Sequence, residues 1–379
     1  MRNFELEVYF SKWEFTAKHH LTASDVQSMS IESLLEMATN EQRDQFQQQW
    51  LGYTETWGAP ELRRLIAETY DVCEVENILC FAGAEEGIYA AMRVLLDKDS
   101  HAIVVVPNYQ AAETIPLEIC DVTGVALKEE NQWQLDIDEV AAAIKPNTKL
   151  ISINVPNNPT GATLSGASLE QLVALCRSNG IYLFSDEVYR GLETDEAKRM
   201  QQIADAYERG LSLNVLSKAY GFPGLRIGWI ASQDKDILLK LERYKHHLSI
   251  CNSAPSEMLA QIVLSNREQI IATNMSKIRT NLKLMEAFFA DYKTLFSWHR
   301  PDGGCIAYPK YLGRGSVEDF CTNLVEERGV LLLPASIYKS ELLASPQQHF
   351  RIGFGRDNTS VGLQELRTFI EEHYASLAP

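Results

Sequence analysis

From Asn77 onward, short β-branched runs alternate with stretches of helical periodicity, and this alternation most narrows the folds open to the chain. The runs are Ile78 to Phe81, His101 to Val106, Val122 to Leu127, Lys149 to Asn154, Ile181 to Ser185, Leu211 to Leu216 and Ile227 to Ala231. Such wiring predicts an α/β fold with a seven-stranded sheet flanked by helices. Ala102-Ile103-Val104-Val105-Val106 is apolar at every position, as in a strand buried on both faces, so the sheet is expected to be mostly parallel. In such sheets ligands gather at the carboxyl ends of the strands. Beyond Ser253 the pattern is helical as far as Tyr292, and short strands return at Cys305 to Tyr308, Val330 to Leu333 and Phe350 to Phe354. These predict a second, smaller α+β domain. The first 45 or so residues hold amphipathic helix-like segments, which attach to that domain or to the rim of the cleft. The expected division is a large domain at 46–275 and a small one built from 1–45 and 276–379. A chain of 379 residues exceeds the size at which one core usually keeps growing, and no Pro/Gly/Ser linker divides it, so the lobes should be packed together.

The net charge of −16 disfavours the broad basic surface that nucleic acids or anionic membranes would require, leaving small molecules as the expected partners. Seven cysteines, odd in number and without a CxxC pair, read as reduced thiols and not as a disulfide framework or zinc site. His19-His20 and His246-His247 lack neighbours that would complete a metal set, so no metal is expected. The amino terminus lacks a signal-like apolar stretch and no run approaches spanning length, so a cytoplasmic, membrane-free protein is expected.

Four segments at strand ends carry residues suited to chemistry. Asn154-Val155-Pro156-Asn157-Asn158-Pro159-Thr160-Gly161 is a sharp turn presenting amide side chains, although such turns also form for backbone reasons alone. Ser185-Asp186-Glu187-Val188-Tyr189 places an acid where a packed sheet demands a charged or protonated partner, unless Asp186 caps the next segment. Ser217-Lys218, with Arg226 following, sends an amine and a cation from one short loop; a solvated Lys is the plain reading, a desolvated one a nucleophile toward an aldehyde. Ala82-Gly83-Ala84-Glu85-Glu86-Gly87 opens a helix whose amino terminus suits a phosphate, provided both carboxylates turn away from it.

In type, order and spacing, Asn158-Pro159-Thr160-Gly161, Asp186-Glu187-Val188-Tyr189 and Ser217-Lys218 with Arg226 resemble the fold-type-I pyridoxal 5′-phosphate (PLP) enzymes, aminotransferase class I/II. The resemblance runs from about Tyr53 to the carboxyl terminus. It implies that Lys218 carries the cofactor as an imine and moves the Cα proton, that Asp186 keeps the pyridine nitrogen protonated, and that Tyr109 supports the ring face. It further implies that Asn158 and Tyr189 bond the ring oxygen, and that Ala84, Glu85, Ser217 and Arg226 hold the phosphate. Tyr53, in Gly52-Tyr53 through Arg63, would reach the phosphate of a second subunit in a homodimer. Arg351, in Phe350-Arg351-Ile352-Gly353-Phe354, would grip the substrate carboxylate; Arg356 is its rival, otherwise a solvated or salt-bridged surface residue. The implied reaction transfers an amino group from an L-amino acid to a 2-oxo acid. Lyase, cyclase or decarboxylase chemistry with the same Lys is the alternative, and a PLP-binding regulator without turnover a third reading.

Two positions depart from the family pattern. Val215 stands where many members carry a hydroxyl residue ahead of the Lys, removing one phosphate contact. Ala23-Ser24-Asp25-Val26, with Ser30 to Leu35, resembles the capreomycidine synthase branch, in which Gly usually stands in place of Asp25. An acid there either turns away from the substrate carboxylate or faces a basic substrate side chain.

Overall fold

The structure, a computed structural model, describes residues 2–378. Its centre is a seven-stranded sheet formed by β1 (Ile78–Phe81), β2 (His101–Val106), β3 (Asp121–Ala126), β4 (Thr148–Asn154), β5 (Tyr182–Asp186), β6 (Gly210–Val215) and β7 (Gly228–Ala231). The spatial order is β1-β7-β6-β5-β4-β2-β3. Every expected run is a strand, shifted by at most one residue at either end. β2 is buried along its whole length, as its unbroken apolar sequence requires, whereas β3 at the sheet edge is half-exposed.

β2 to β6 run parallel with β3, and only β7 is antiparallel to both its neighbours, β6 and β1. The reason lies in the connection: an antiparallel neighbour can be reached by a short loop, a parallel one only by a crossover. Residues 216–227 make that short loop, which leaves the carboxyl end of β6 and returns beside it. The parallel register aligns Asn154 of β4 with Asp186 of β5, and Asp186 with Leu213 of β6, so three strand ends open on one crevice.

The helical stretch expected from Ser253 to Tyr292 is two helices, Ala254–Ser265 and Arg267–Asp291, separated at Asn266. The second lobe holds a small antiparallel sheet, in which Phe350–Gly353 lies between Ile306–Ala307 and Leu333–Pro334, and its core is continuous with Val188, Tyr189, Leu192, Val215 and Ala219 of the large one. The amino-terminal segment joins this lobe through His19–His20, paired in parallel with Val330–Leu331. Ahead of it, α1 (Glu5–Trp13) bridges the two lobes: the Glu5 N–H donates to Gln110 Oε1 at 2.9 Å, and the Tyr9 hydroxyl to the Leu332 carbonyl at 3.0 Å. Among the described residues, no helix is long and apolar enough to cross a membrane and no His, Cys, Asp or Glu group could hold a metal.

One buried acid beneath the crevice affects stability. Glu187 Oε1 accepts from the Ile203 N–H at 3.0 Å and the Ser212 hydroxyl at 2.9 Å, while Oε2 and the hydroxyl of Ser185 beside it have no hydrogen-bond partner. Burial pushes its carboxyl from 4.5 to about 7. The folded state therefore binds a proton that the unfolded chain has released, and stability falls as pH rises from 4.5 through about 7. Glu187→Gln should remove this loss, making the variant about 2–3 kcal/mol more stable than wild type at pH 8 and equal to it near pH 4. Urea unfolding at the two pH values measures the difference.

Candidate active site

At the crevice lies a cavity of about 410 Å³. Of the sequence-derived site residues, Ala84, Glu85, Tyr109, Asn158, Asp186, Tyr189, Ser217, Lys218 and Arg226 all line it. Tyr53 and Arg351 do not.

Lys218 leaves the end of β6 on the short return loop and donates from Nζ to Ser24 Oγ at 2.9 Å. Burial, reinforced by the nearby Arg351 guanidinium, lowers its pKa against the opposing pull of Asp25, which favours a free, nucleophilic amine. Asp186 closes β5, with Oδ1 accepting the Val188 N–H at 3.2 Å. Burial raises its carboxyl from 3.8 to about 6, a shift that the Val188 N–H and the nearby Lys218 amine only partly offset. The buried Tyr189 hydroxyl is likewise without a hydrogen-bond partner. Tyr109 follows β2, its ring 5.3 Å from that of Phe4.

An anion cradle adjoins these groups. Gly83, at φ +96°, precedes α2 (Ala84–Leu95), and no side chain caps that helix, so its first N–H groups face the cavity unclaimed by a cap. A Cβ on Gly83 would come within 2.3 Å of Arg226 Nη2, so only glycine lets the guanidinium approach the helix start so closely. Glu86 is turned away, accepting from the Ala82 and Ser249 N–H groups. Glu85 points toward Tyr109, and burial raises its carboxyl to about 7. Val215, wholly buried, presents an apolar wall where a hydroxyl was the family expectation.

Arg351 is fully buried behind Asn158. Its Nη1 donates to Asn158 Oδ1 at 3.2 Å and to the Tyr338 hydroxyl at 2.7 Å, its Nη2 to the Thr22 carbonyl at 2.8 Å, and its Nε has no partner. Arg356 instead forms a two-point ion pair with Asp25, both contacts at 3.0 Å. Arg356 is thus salt-bridged, and Asp25, which also lies near enough to Lys218 to favour its charged form, is engaged by that guanidinium. His20 also has a structural environment, contacting the Glu14 carbonyl and the Thr22 hydroxyl, each at 3.0 Å.

Sequence reasoning missed Ser24, Thr22 and Tyr338 around Lys218 and Arg351, and Phe4 and Glu7 of α1 on the cavity wall. Ser24 lies in the Ala23-Ser24-Asp25-Val26 stretch, but no local spacing assigns it or the others a contact, since each reaches the site from a distant segment. If Arg351 holds a carboxylate, Arg351→Lys should raise the half-saturating amino-acid concentration about 100-fold, because the fork that grips two oxygens is lost. Cofactor binding should be nearly unchanged, and a spectroscopic titration separates the two.

An electrophilic ring with a cationic nitrogen and a phosphate fits this donor set. The amine lies at one strand end, the buried acid, free of any salt bridge, at the next, and the phosphate cradle beside them. The comparisons with known proteins agree. The family model described as Aminotransferase class I and II matches residues 18–366. An aspartate aminotransferase of Pyrococcus horikoshii is 30% identical over 76% of this chain and 76% of its own. Capreomycidine synthase of Streptomyces vinaceus is 25% identical over 78% of this chain and 75% of its own. A PLP-dependent aminotransferase structure from Streptococcus suis superposes with a TM-score of 0.91 at 28% identity, covering 98% of each chain. Its fold, cofactor chemistry and sequence together place this chain in the aminotransferase class I and II family of pyridoxal-phosphate enzymes.

Proposed function

We propose that the protein transfers an amino group from an L-amino acid to a 2-oxo acid, using PLP held by Lys218. The observation that carries this reading is the convergence of the depressed Lys218 amine, the buried Asp186 carboxyl and the Gly83–Arg226 cradle on one cavity. When bound, the cofactor supplies the electron sink that stabilises the pair left at Cα.

In this reading the α2 N–H groups of Ala84 and Glu85, the Ser217 hydroxyl and Arg226 hold the phosphate. Asp186 keeps a proton on the ring nitrogen. Asn158 offers its amide NH₂, because its oxygen is occupied by Arg351 and Tyr338, and Tyr189 offers its partnerless hydroxyl. Arg351 holds the substrate carboxylate and so sets which Cα bond faces the ring. Lys218 Nζ, once released, takes the proton from Cα and returns it; α1 roofs the cleft and limits water.

The reading divides the chain into a cofactor-binding body at 46–275 and a smaller lobe from 1–45 with 276–379, one long helix crossing position 275. It also pairs two copies. Tyr53 is 86% exposed and follows exposed Trp50 and Leu51 in a ridge of the chain whose Thr54 hydroxyl donates to the Asn252 carbonyl at 2.9 Å, just after exposed Leu248 and Ile250. Lys245, fully buried, ties the ridge down through the Thr56 carbonyl at 2.7 Å and the Cys80 carbonyl at 2.8 Å. A ridge of this kind supports a homodimer interface in which Tyr53 reaches the partner's phosphate.

A second reading, elimination or cyclisation with the same Lys, is favoured by the capreomycidine synthase relative. Visible spectra recorded while amino acids are titrated into the PLP-loaded protein separate the two. A lasting change to the amine form of the cofactor, reversed by a 2-oxo acid, supports transamination; a starting spectrum that recovers unaided while product forms supports the second reading.

A further inference from the structure

Arg351 is a buried cation fixed by neutral oxygens, and its donor count shows what is left for a ligand. A guanidinium has five N–H donors. The two on Nη1 go to Asn158 Oδ1 at 3.2 Å and the Tyr338 hydroxyl at 2.7 Å, and one on Nη2 goes to the Thr22 carbonyl at 2.8 Å. The Nε–H, buried without a partner, and the second Nη2–H remain, and two donors are what a carboxylate takes as a fork. Among the described residues no acid forms an ion pair with Arg351, so its charge is uncompensated until an anion arrives.

Of the three acceptors, only Tyr338 acts on both functional side chains. Its hydroxyl accepts from Arg351 and donates its own proton to Asn158 Oδ1 at 3.0 Å. Asn158 Oδ1 thus accepts from a guanidinium and a hydroxyl at once. Its NH₂ is left for the cavity, and polarisation of the carbonyl makes that NH₂ a stronger donor.

The fold holds the phenol from two sides. Ahead of it, Leu333–Pro334 pairs with the strand that carries Arg351, Leu333 lying opposite Arg351 itself. Behind it, the buried carboxylate of Glu113, on the helix Ala111–Leu117, accepts from the Ser340 hydroxyl at 2.7 Å and the Glu341 N–H at 2.8 Å. The Tyr308 ring packs edge-on against that of Tyr338 at 5.5 Å.

We propose that Tyr338 is a positioning residue for both halves of the site. It occupies one Arg351 donor so that the remaining fork faces the substrate carboxylate, and it anchors the Asn158 oxygen so that the amide NH₂ faces the ring oxygen of the cofactor. The inference rests on the roles given above to Arg351 and Asn158.

The test compares wild type with Tyr338→Phe, which loses one hydroxyl and keeps the ring, and with Tyr308→Phe as the control. The Tyr308 hydroxyl is also buried but has no hydrogen-bond partner, so its loss reports packing alone. In the PLP-loaded full chain, the pH midpoint of the visible band should rise by about 0.5–1 unit in Tyr338→Phe, because a weaker Asn158 donor stabilises the negative ring oxygen less. L-alanine, L-glutamate and L-lysine, titrated separately, should half-saturate the spectral change at concentrations about tenfold higher than in wild type, by the same factor for each, since the α-carboxylate is common to all three. Turnover at saturation should fall less than about threefold. Hexanoate, a carboxylate that is not turned over, should raise the melting temperature of wild type more than that of Tyr338→Phe. Tyr308→Phe should match wild type in every readout. A pH midpoint or a half-saturating concentration unchanged in Tyr338→Phe would overturn the proposal, as would equal shifts in Tyr308→Phe. If Arg351→Lys left the half-saturating concentrations unchanged, or PLP gave no visible band, the reading of the site itself would fall and this inference with it.

Discussion

Lys218→Ala should yield a folded protein that never develops the visible band of covalently attached PLP and whose turnover is lower by on the order of 10⁴-fold. The size follows from the two tasks that fall to one atom. Among the described residues Nζ is the only amine lining the cavity, and it is held 2.9 Å from Ser24 Oγ in a buried setting that lowers its pKa. Removing it takes away both the attachment and the base that moves the Cα proton. The fold should tolerate the change, because the amine's hydrogen bond is to one hydroxyl and a buried cation is costly to keep. Absorbance, circular dichroism and a single-turnover assay decide it. A persistent band, or a rate within about tenfold of wild type, would show that another residue carries the cofactor. Partial rescue by added methylamine would show that the missing group is the amine itself.

The second large effect concerns Asp186→Asn, nearly the same shape without the charge. Turnover should fall by about 10³-fold, since a neutral amide does not hold a proton on the ring nitrogen and the electron sink weakens. Without cofactor the sign reverses. The folded carboxyl is raised from 3.8 to about 6, so its contribution to stability is present at low pH and is lost as pH rises through about 6. The cofactor-free variant should therefore be more stable than wild type at pH 8, by about 2–3 kcal/mol. Added PLP should stabilise wild type more than the variant, because only wild type gains the charge pair. Melting curves with and without PLP at pH 5 and pH 8 test both statements. Equal melting gains in the two proteins would remove Asp186 from contact with the ring.

The sequence by itself determined the parts of the site built from local rules. Strand periodicity located all seven central strands, and Asn158, Asp186, Lys218 and Arg226, at or beyond strand carboxyl ends, stood out through the order of their motifs and the family resemblance, each motif alone allowing a plain structural reading. The helix start at Ala84 suggested the cradle through its free N–H groups, and the structure adds that Gly83 lets Arg226 approach it. The tertiary structure alone decided which distant groups meet. Asn158, Tyr338 and Thr22 converge on Arg351, Asp25 closes on Arg356, and Ser24 reaches Lys218 across 194 positions of sequence. These contacts depend on how the amino-terminal segment packs onto the small lobe, through His19–His20 beside Val330–Leu331 and α1 over the cleft. Such packing is set by the shapes and burial of many side chains at once, which leave no pattern at fixed spacing along the chain. Asp25 shows the difference: its sequence position left its partner open, and the fold pairs it with a guanidinium 331 positions away.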